Sequence, residues 1–160
     1  MTKSLEMKIK PLWQEIENVR TQTSLFLNGN GCGDDVVNAV SMVSSELVEN
    51  AVKYGHFLES EEMIQLCLEL GNRIIIVEVK SPMSDRTDEN LHRLDAAIRW
   101  IRGYQNPFEA YVEKLKEVSA GNNEEESGMG LVRIAYEGQS LLDFYVDEDN
   151  TLAMCAVYKI

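Results

Sequence analysis

Histidine and cysteine are scarce in this 160-residue chain, with two and three residues respectively, and no two cysteines share a CxxC spacing. His56 and His92 lie far apart in sequence with no third ligand at a useful interval. Neither a zinc site nor a disulfide framework is therefore indicated. Cys67 and Cys155 fall in apolar stretches and read as buried thiols. No apolar run approaches the ~20 residues of a membrane span, and the opening "MTKSLEMKIK" lacks the hydrophobic core of a secretion signal. These absences lead to the expectation of a cytoplasmic protein kept reduced, with no membrane partner. Basic charge is short as well: 15 Lys and Arg stand against 27 Asp and Glu, a formal net charge of −12. A surface so negative repels phosphate backbones, and no basic cluster interrupts it, which argues against nucleic acid as a partner. A single nucleotide remains compatible, because backbone amides and one lysine can hold phosphates inside an acidic protein.

What is present is a globular composition, 44% apolar and 26% charged. The length fits one domain over residues 1–160, with 1–33 read as an N-terminal helix and loop. Leu12, Ile16, Val19 and Phe26 recur at roughly helical spacing after Pro11, which suits a first turn. "NGNGCGDD" breaks the pattern; without a GK[ST] ending or a preceding strand it reads as a turn, not a phosphate loop. Asp34 or Asp35 is expected to cap a helix carried by Val36, Val40, Val43, Leu47 and Ala51 to about Tyr54, with Gly55 as its stop. "MIQLCLEL" and "RIIIVEV" flank a Gly-Asn turn and predict an antiparallel hairpin. Beyond Pro82, Leu91, Leu94, Ile98 and Ile101 form one helical stripe, and Phe108, Tyr111, Leu115 and Val118 another. Trp100 and Tyr104 read as packing aromatics. "GNNEEES" is polar and breaker-rich and reads as a mobile loop, before a short helix in "GMGLVRIAYEG" and two final strands. The order predicts an α/β two-layer (α+β) sandwich, a mostly antiparallel sheet with helices on one face.

Two stretches carry chemistry. In "SSELVENAVKYG", residues 44–55, Glu46, Asn50 and Lys53 project from one helical edge, since steps of three and four are neighbours. A solvated polar face is the plain alternative. In "ESGMGLVRI", Gly128 and Gly130 leave the first N–H groups of a helix unobstructed, a geometry that binds anions. Glu124, Glu125 and Glu126 just before it would repel a phosphate unless that loop folds away. Taken together, an amide oxygen for Mg²⁺, a carboxylate to orient or deprotonate a nucleophile, and a helix start for phosphates make up the division of labour of phosphoryl transfer.

These residues resemble the Bergerat-fold ATPases, the group that includes histidine kinases and gyrase. "ELVENAVKYG" is similar to their N-box and "GMGL" to their second glycine box, and the resemblance covers about residues 34–160. The stand-alone length points to the bacterial anti-sigma-factor serine kinases and related partner-switching kinases. By position, the resemblance implies Glu46 as the base for the acceptor hydroxyl and Asn50 as the Mg²⁺ ligand. It implies Lys53 and Tyr54 beside the phosphates and adenine, and Gly128 and Gly130 as the glycine box, with Ser127, Met129 and Leu131 around them. The implied cofactors are ATP and Mg²⁺. The implied partner is a small cytoplasmic protein, substrate or antagonist, of the anti-sigma-antagonist kind; a homodimer is left open.

One departure matters. The family follows its central strand with DxGxG, whose Asp accepts from the adenine amino group. Here Ser81 falls where that Asp belongs, and Met83 and Asp85 where the glycines belong. A hydroxyl can still bond adenine, without the charge-assisted strength. Two readings follow: a variant ATP-dependent serine/threonine kinase, or a non-catalytic module that keeps the fold to hold a protein partner.

Overall fold

Strand β1, Lys3–Ile9, opens the fold where the sequence predicts no element. Leu5, Met7 and Ile9 alternate inward, and all seven residues pair antiparallel with β2, from Lys3 opposite Leu70 to Ile9 opposite Ile64. The expectation of only a helix and loop over 1–33 is corrected by this strand. The computed structural model describes residues 2–58, 61–83, 87–121 and 128–160.

A single 3₁₀ turn, Trp13–Glu15, leads into helix α1, Ile16–Gly29. Pro11 and Leu12 precede that helix, and its buried stripe is Val19, Thr23 and Leu27 at four-residue steps. Helix α2, Asp34–Tyr54, is capped by Gly33, with no side-chain cap; Asp34 and Asp35 lie in its first turn, where their charge suits the dipole. Gly55 ends it without a left-handed turn, at φ −67°. Glycine is required there by space: a Cβ would stand 2.5 Å from the Ala51 carbonyl oxygen and 2.6 Å from the Phe57 ring.

β2, Ile64–Leu70, and β3, Ile74–Pro82, form the expected hairpin, closed by the Gly71 N–H donating to the Ile74 carbonyl at 3.0 Å. Helix α3, Thr87–Arg102, buries Ile98 and Ile101. Its start puts Asp88 and Glu89 in the first turn; Asp85 and the "NNEEES" segment lie outside the described residues. Helix α4, Pro107–Ser119, is capped by the Asn106 side chain, which accepts from the Phe108 N–H. Its stripe differs from expectation: Ala110 is buried, whereas Phe108 and Leu115 are exposed. Helix α5, Met129–Tyr136, strand β4, Ser140–Val146, and strand β5, Thr151–Lys159, complete the chain.

The five strands order β1-β2-β3-β5-β4, every neighbouring pair antiparallel. Leu66, Leu68, Ile75, Val77, Val79, Met154 and Ala156 point to one face and join the buried residues of the helices in one core. The result is the two-layer α+β sandwich. The other face is open, and Glu6, Cys67, Glu78, Cys155 and Asp143 form a cross-strand row on it. Cys67 and Cys155 are thus half-buried on the open face, not in the core. Partial burial, reinforced by the Glu78 charge and hydrogen bond, pushes the Cys155 thiol up to about 12, an unreactive thiol. Among the described residues no helix is long and apolar enough to cross a membrane.

Candidate functional site

Where the C-terminal half of α2 passes the end of β3, the two layers part. A cleft of about 530 Å³ opens there, between α2, β3, α3 and the start of α5. That volume lies within the roughly 300–1,000 Å³ of small-molecule sites. Glu46, Asn50, Lys53, Tyr54, Ser81, Gly128, Met129, Gly130 and Leu131 all line it. Ser127 lies outside the described residues. Residues from three well-separated stretches of the sequence therefore share one cavity.

Each wall follows from its element. Period-2 alternation in β3 puts Ser81 on the same face as Ile75, Val77 and Val79, buried at 5% exposure and paired with Leu152 of β5. The exit of β3 is fixed by the His56 N–H donating to the Pro82 carbonyl and the Met83 N–H donating to the Asn150 carbonyl, at 3.0 and 3.2 Å. Met83 also lines the cleft. Gly128 caps α5 in the left-handed region, φ +75°, which a side chain would strain. Tyr54 is half exposed at the mouth.

Glu46 is buried at 6% exposure. Its Oε1 accepts from the Arg133 guanidinium at 2.6 Å. Its Oε2 lies over Gly130, where a Cβ would come within 2.7 Å. Arg133 Nε donates to Glu137 at 3.2 Å, and the Tyr111 hydroxyl donates to the other Glu137 oxygen at 3.0 Å. Loss of water contact raises the Glu46 carboxyl above the usual range, and Glu49 adds to the rise; Arg133, Arg20 and Lys53 pull it down without cancelling it. A raised carboxyl is closer to the basicity useful at neutral pH.

The donor set limits which metal the cleft can take. Among the described residues no cluster of three or more His, Cys, Asp or Glu is placed to hold an ion. An amide oxygen with waters filling the remaining positions suits Mg²⁺, which dehydrates reluctantly. The lining offers two amides, Asn50 on α2 and Asn90 on α3, and Asn50 stands one helical turn from Glu46. The two histidines fall outside the cleft lining, and the Trp100–Tyr104 pair is an edge-on stack, centroids 5.0 Å apart.

Among the polar and aromatic lining residues, Trp13, Glu49, Asn90, Arg93 and Arg133 escape the sequence reading. Arg133 lies three residues after Gly130, hence on the same helical face, a signal present in the sequence. Trp13 and Arg93 reach the cleft only through tertiary packing.

These features define a class: a two-layer α+β sandwich whose helix-facing cleft gathers a buried carboxylate, an amide and a glycine-started helix. The same fold occurs in a chain of the crystal structure of the SiaB–SiaC complex from Pseudomonas aeruginosa. The match covers 96% of this chain and 88% of that one, with a TM-score of 0.71 and 17% sequence identity. No protein-family model and no curated protein sequence matches the chain.

Proposed function

We propose that this chain is an ATP-dependent serine/threonine protein kinase of a bacterial partner-switching system, acting on a small protein partner. The observation that carries the reading is the convergence of Glu46, Asn50, Gly128 and Gly130 on one cleft. Likeness in fold to a member of a two-protein complex supports a protein partner.

In this reading ATP is the phosphoryl donor, with Mg²⁺ neutralising charge on its phosphates. Asn50 gives its side-chain oxygen to the metal. The start of α5 and Lys53 face the phosphates, and Ser81 bonds the adenine edge. Glu46, its carboxyl raised by burial, accepts the proton of the partner's serine or threonine hydroxyl.

A second reading has its own support. Ser81 replaces a carboxylate, and Glu46 is already engaged by Arg133, as suits a non-catalytic module that only holds its partner. Calorimetric titration with Mg²⁺ and the non-hydrolysable analogue AMP-PNP separates the two. The kinase reading expects saturable binding, and loss of its Mg²⁺-dependent part in Asn50→Ala at unchanged melting temperature. Glu46→Gln is expected to keep nucleotide affinity while slowing transfer by roughly 10²–10⁴-fold, the usual worth of a positioned base. No binding by the wild-type protein would leave the partner-binding module as the answer.

A further inference from the structure

A base does its work only if held in place, and Glu46 is held from outside its own helix. One carboxylate oxygen receives the Arg133 guanidinium at 2.6 Å, and the other lies over the bare Cα of Gly130. Arg133 is fixed in turn. Its Nε is bonded to Glu137 one helical turn on, and Glu137 is bonded to Tyr111 of α4. The chain Tyr111–Glu137–Arg133–Glu46 thus runs from α4 through α5 to the cleft wall on α2. A simple ion-pair clip between α2 and α5 would not require residue 130 to lack a side chain. Here a methyl at that position would displace the oxygen that faces the glycine start of α5.

We propose that Arg133 is a positioning residue for Glu46, holding its carboxylate against the glycine start of α5 in the orientation that takes the acceptor's proton. The proposal rests on the kinase reading above. It follows the pattern of activated sites in which a base is oriented by a third group. Arginine suits the task because its planar fork can hold a carboxylate and brace against a second acceptor at once, whereas lysine offers a point charge.

The test uses the full chain with Mg²⁺ and ATP labelled in the γ-phosphate, following release of labelled phosphate with water standing in for the partner's hydroxyl, in wild type, R133M, R133K, E46Q and the R133M/E46Q double variant. Melting temperatures are recorded alongside. R133M is expected to lower kcat by about 10–100-fold, on the scale of a small misplacement of a catalytic group, with KM for ATP changed less than about threefold. R133K is expected to recover part of that loss. In the E46Q background, removing Arg133 is expected to cost nothing further, because its effect passes through the carboxylate.

Unchanged kcat in R133M, or an equal loss with and without Glu46, overturns the proposal while leaving the kinase reading intact. A rise in KM at constant kcat also overturns it, by assigning Arg133 to nucleotide binding. Should R133M fail to fold, R133K compared in the wild-type and E46Q backgrounds separates the same outcomes. An inactive wild-type protein overturns the kinase reading, and the positioning role goes with it.

Discussion

In the kinase reading, Ser81 is the residue that would meet the adenine edge. Its side chain faces the cleft from the inward side of β3, almost fully buried, with Leu152 across the ladder. A neutral hydroxyl contributes about 1 kcal/mol to a hydrogen bond, against about 1.5–3 kcal/mol for a charged acceptor. Ser81→Asp is therefore expected to tighten ATP by up to about tenfold, since ~1.4 kcal/mol is a factor of ten. The margin over GTP is expected to widen, because a carboxylate at this position accepts from an amino group and repels a carbonyl. The same substitution buries a carboxylate in the empty protein, so a modest fall in melting temperature should accompany the gain and be recovered on adding ATP. ATP and GTP titrations of the variant beside thermal melts decide the matter. A lower melting temperature with no gain in ATP affinity would show that adenine does not reach this wall.

Helix α5 is short, and its N-terminal end is shaped by two glycines with different duties. Gly128 needs the left-handed backbone, and Gly130 needs the absence of a Cβ under Glu46. Alanine at 130 would ordinarily favour a helix by about 0.5–1 kcal/mol. Here its methyl would meet the carboxylate that Arg133 pins from 2.6 Å away, so that group has to move. Gly130→Ala is expected to change stability by less than about 1 kcal/mol while cutting transfer at least tenfold, of the order of a small misplacement. Denaturant melts and single-turnover transfer measure the two effects separately; full transfer at full stability would remove Glu46 from the chemistry. The sequence made α2, the β2–β3 hairpin, α3 and the glycine start of α5 legible, because each is specified by local period and punctuation. It concealed β1, whose three inward residues among seven gain their stability by pairing with a strand some sixty residues away. The α4 stripe departs from its sequence pattern because Phe108 and Tyr111 stack at 5.2 and 5.0 Å on Tyr136 of α5, near the surface, leaving Ala110 as the buried contact. Of the site, the residues of the two motifs could be placed by spacing. The Arg133–Glu46 pair, 87 positions apart, could not, because nothing in local pattern indicates which helix faces which.

At the scale of the whole molecule, the N-terminal segment is tied to the cleft rather than appended to the fold. β1 occupies one edge of the sheet, and α1 runs back antiparallel to α2, registered by Ser24 against Ser41 at 2.8 Å and Arg20 against Ser45 at 3.3 Å. That register carries Trp13 to the C-terminal end of α2, where it lines the cleft while 57% exposed. Lys53 and Arg93 line the same cavity beside Glu49 and the Arg133–Glu46 ion pair, so the lining is of mixed charge in a protein of net charge −12. In the kinase reading, Trp13 would therefore report occupancy of the cleft. The second tryptophan, Trp100, lies outside the lining, packed edge-on against Tyr104 with the Lys114 ammonium 4.8 Å above its ring. Mg²⁺–AMP-PNP is expected to change tryptophan emission saturably, through Trp13. Trp13→Phe should abolish that change while retaining affinity by calorimetry within a few-fold, since a rim aromatic contributes packing and no charge. A full emission change surviving in Trp13→Phe would assign the signal to Trp100 and to a rearrangement of α3. Nucleotide binding by calorimetry with silent emission in the wild type would place the ligand away from the N-terminal rim, on the α5 side of the cleft alone.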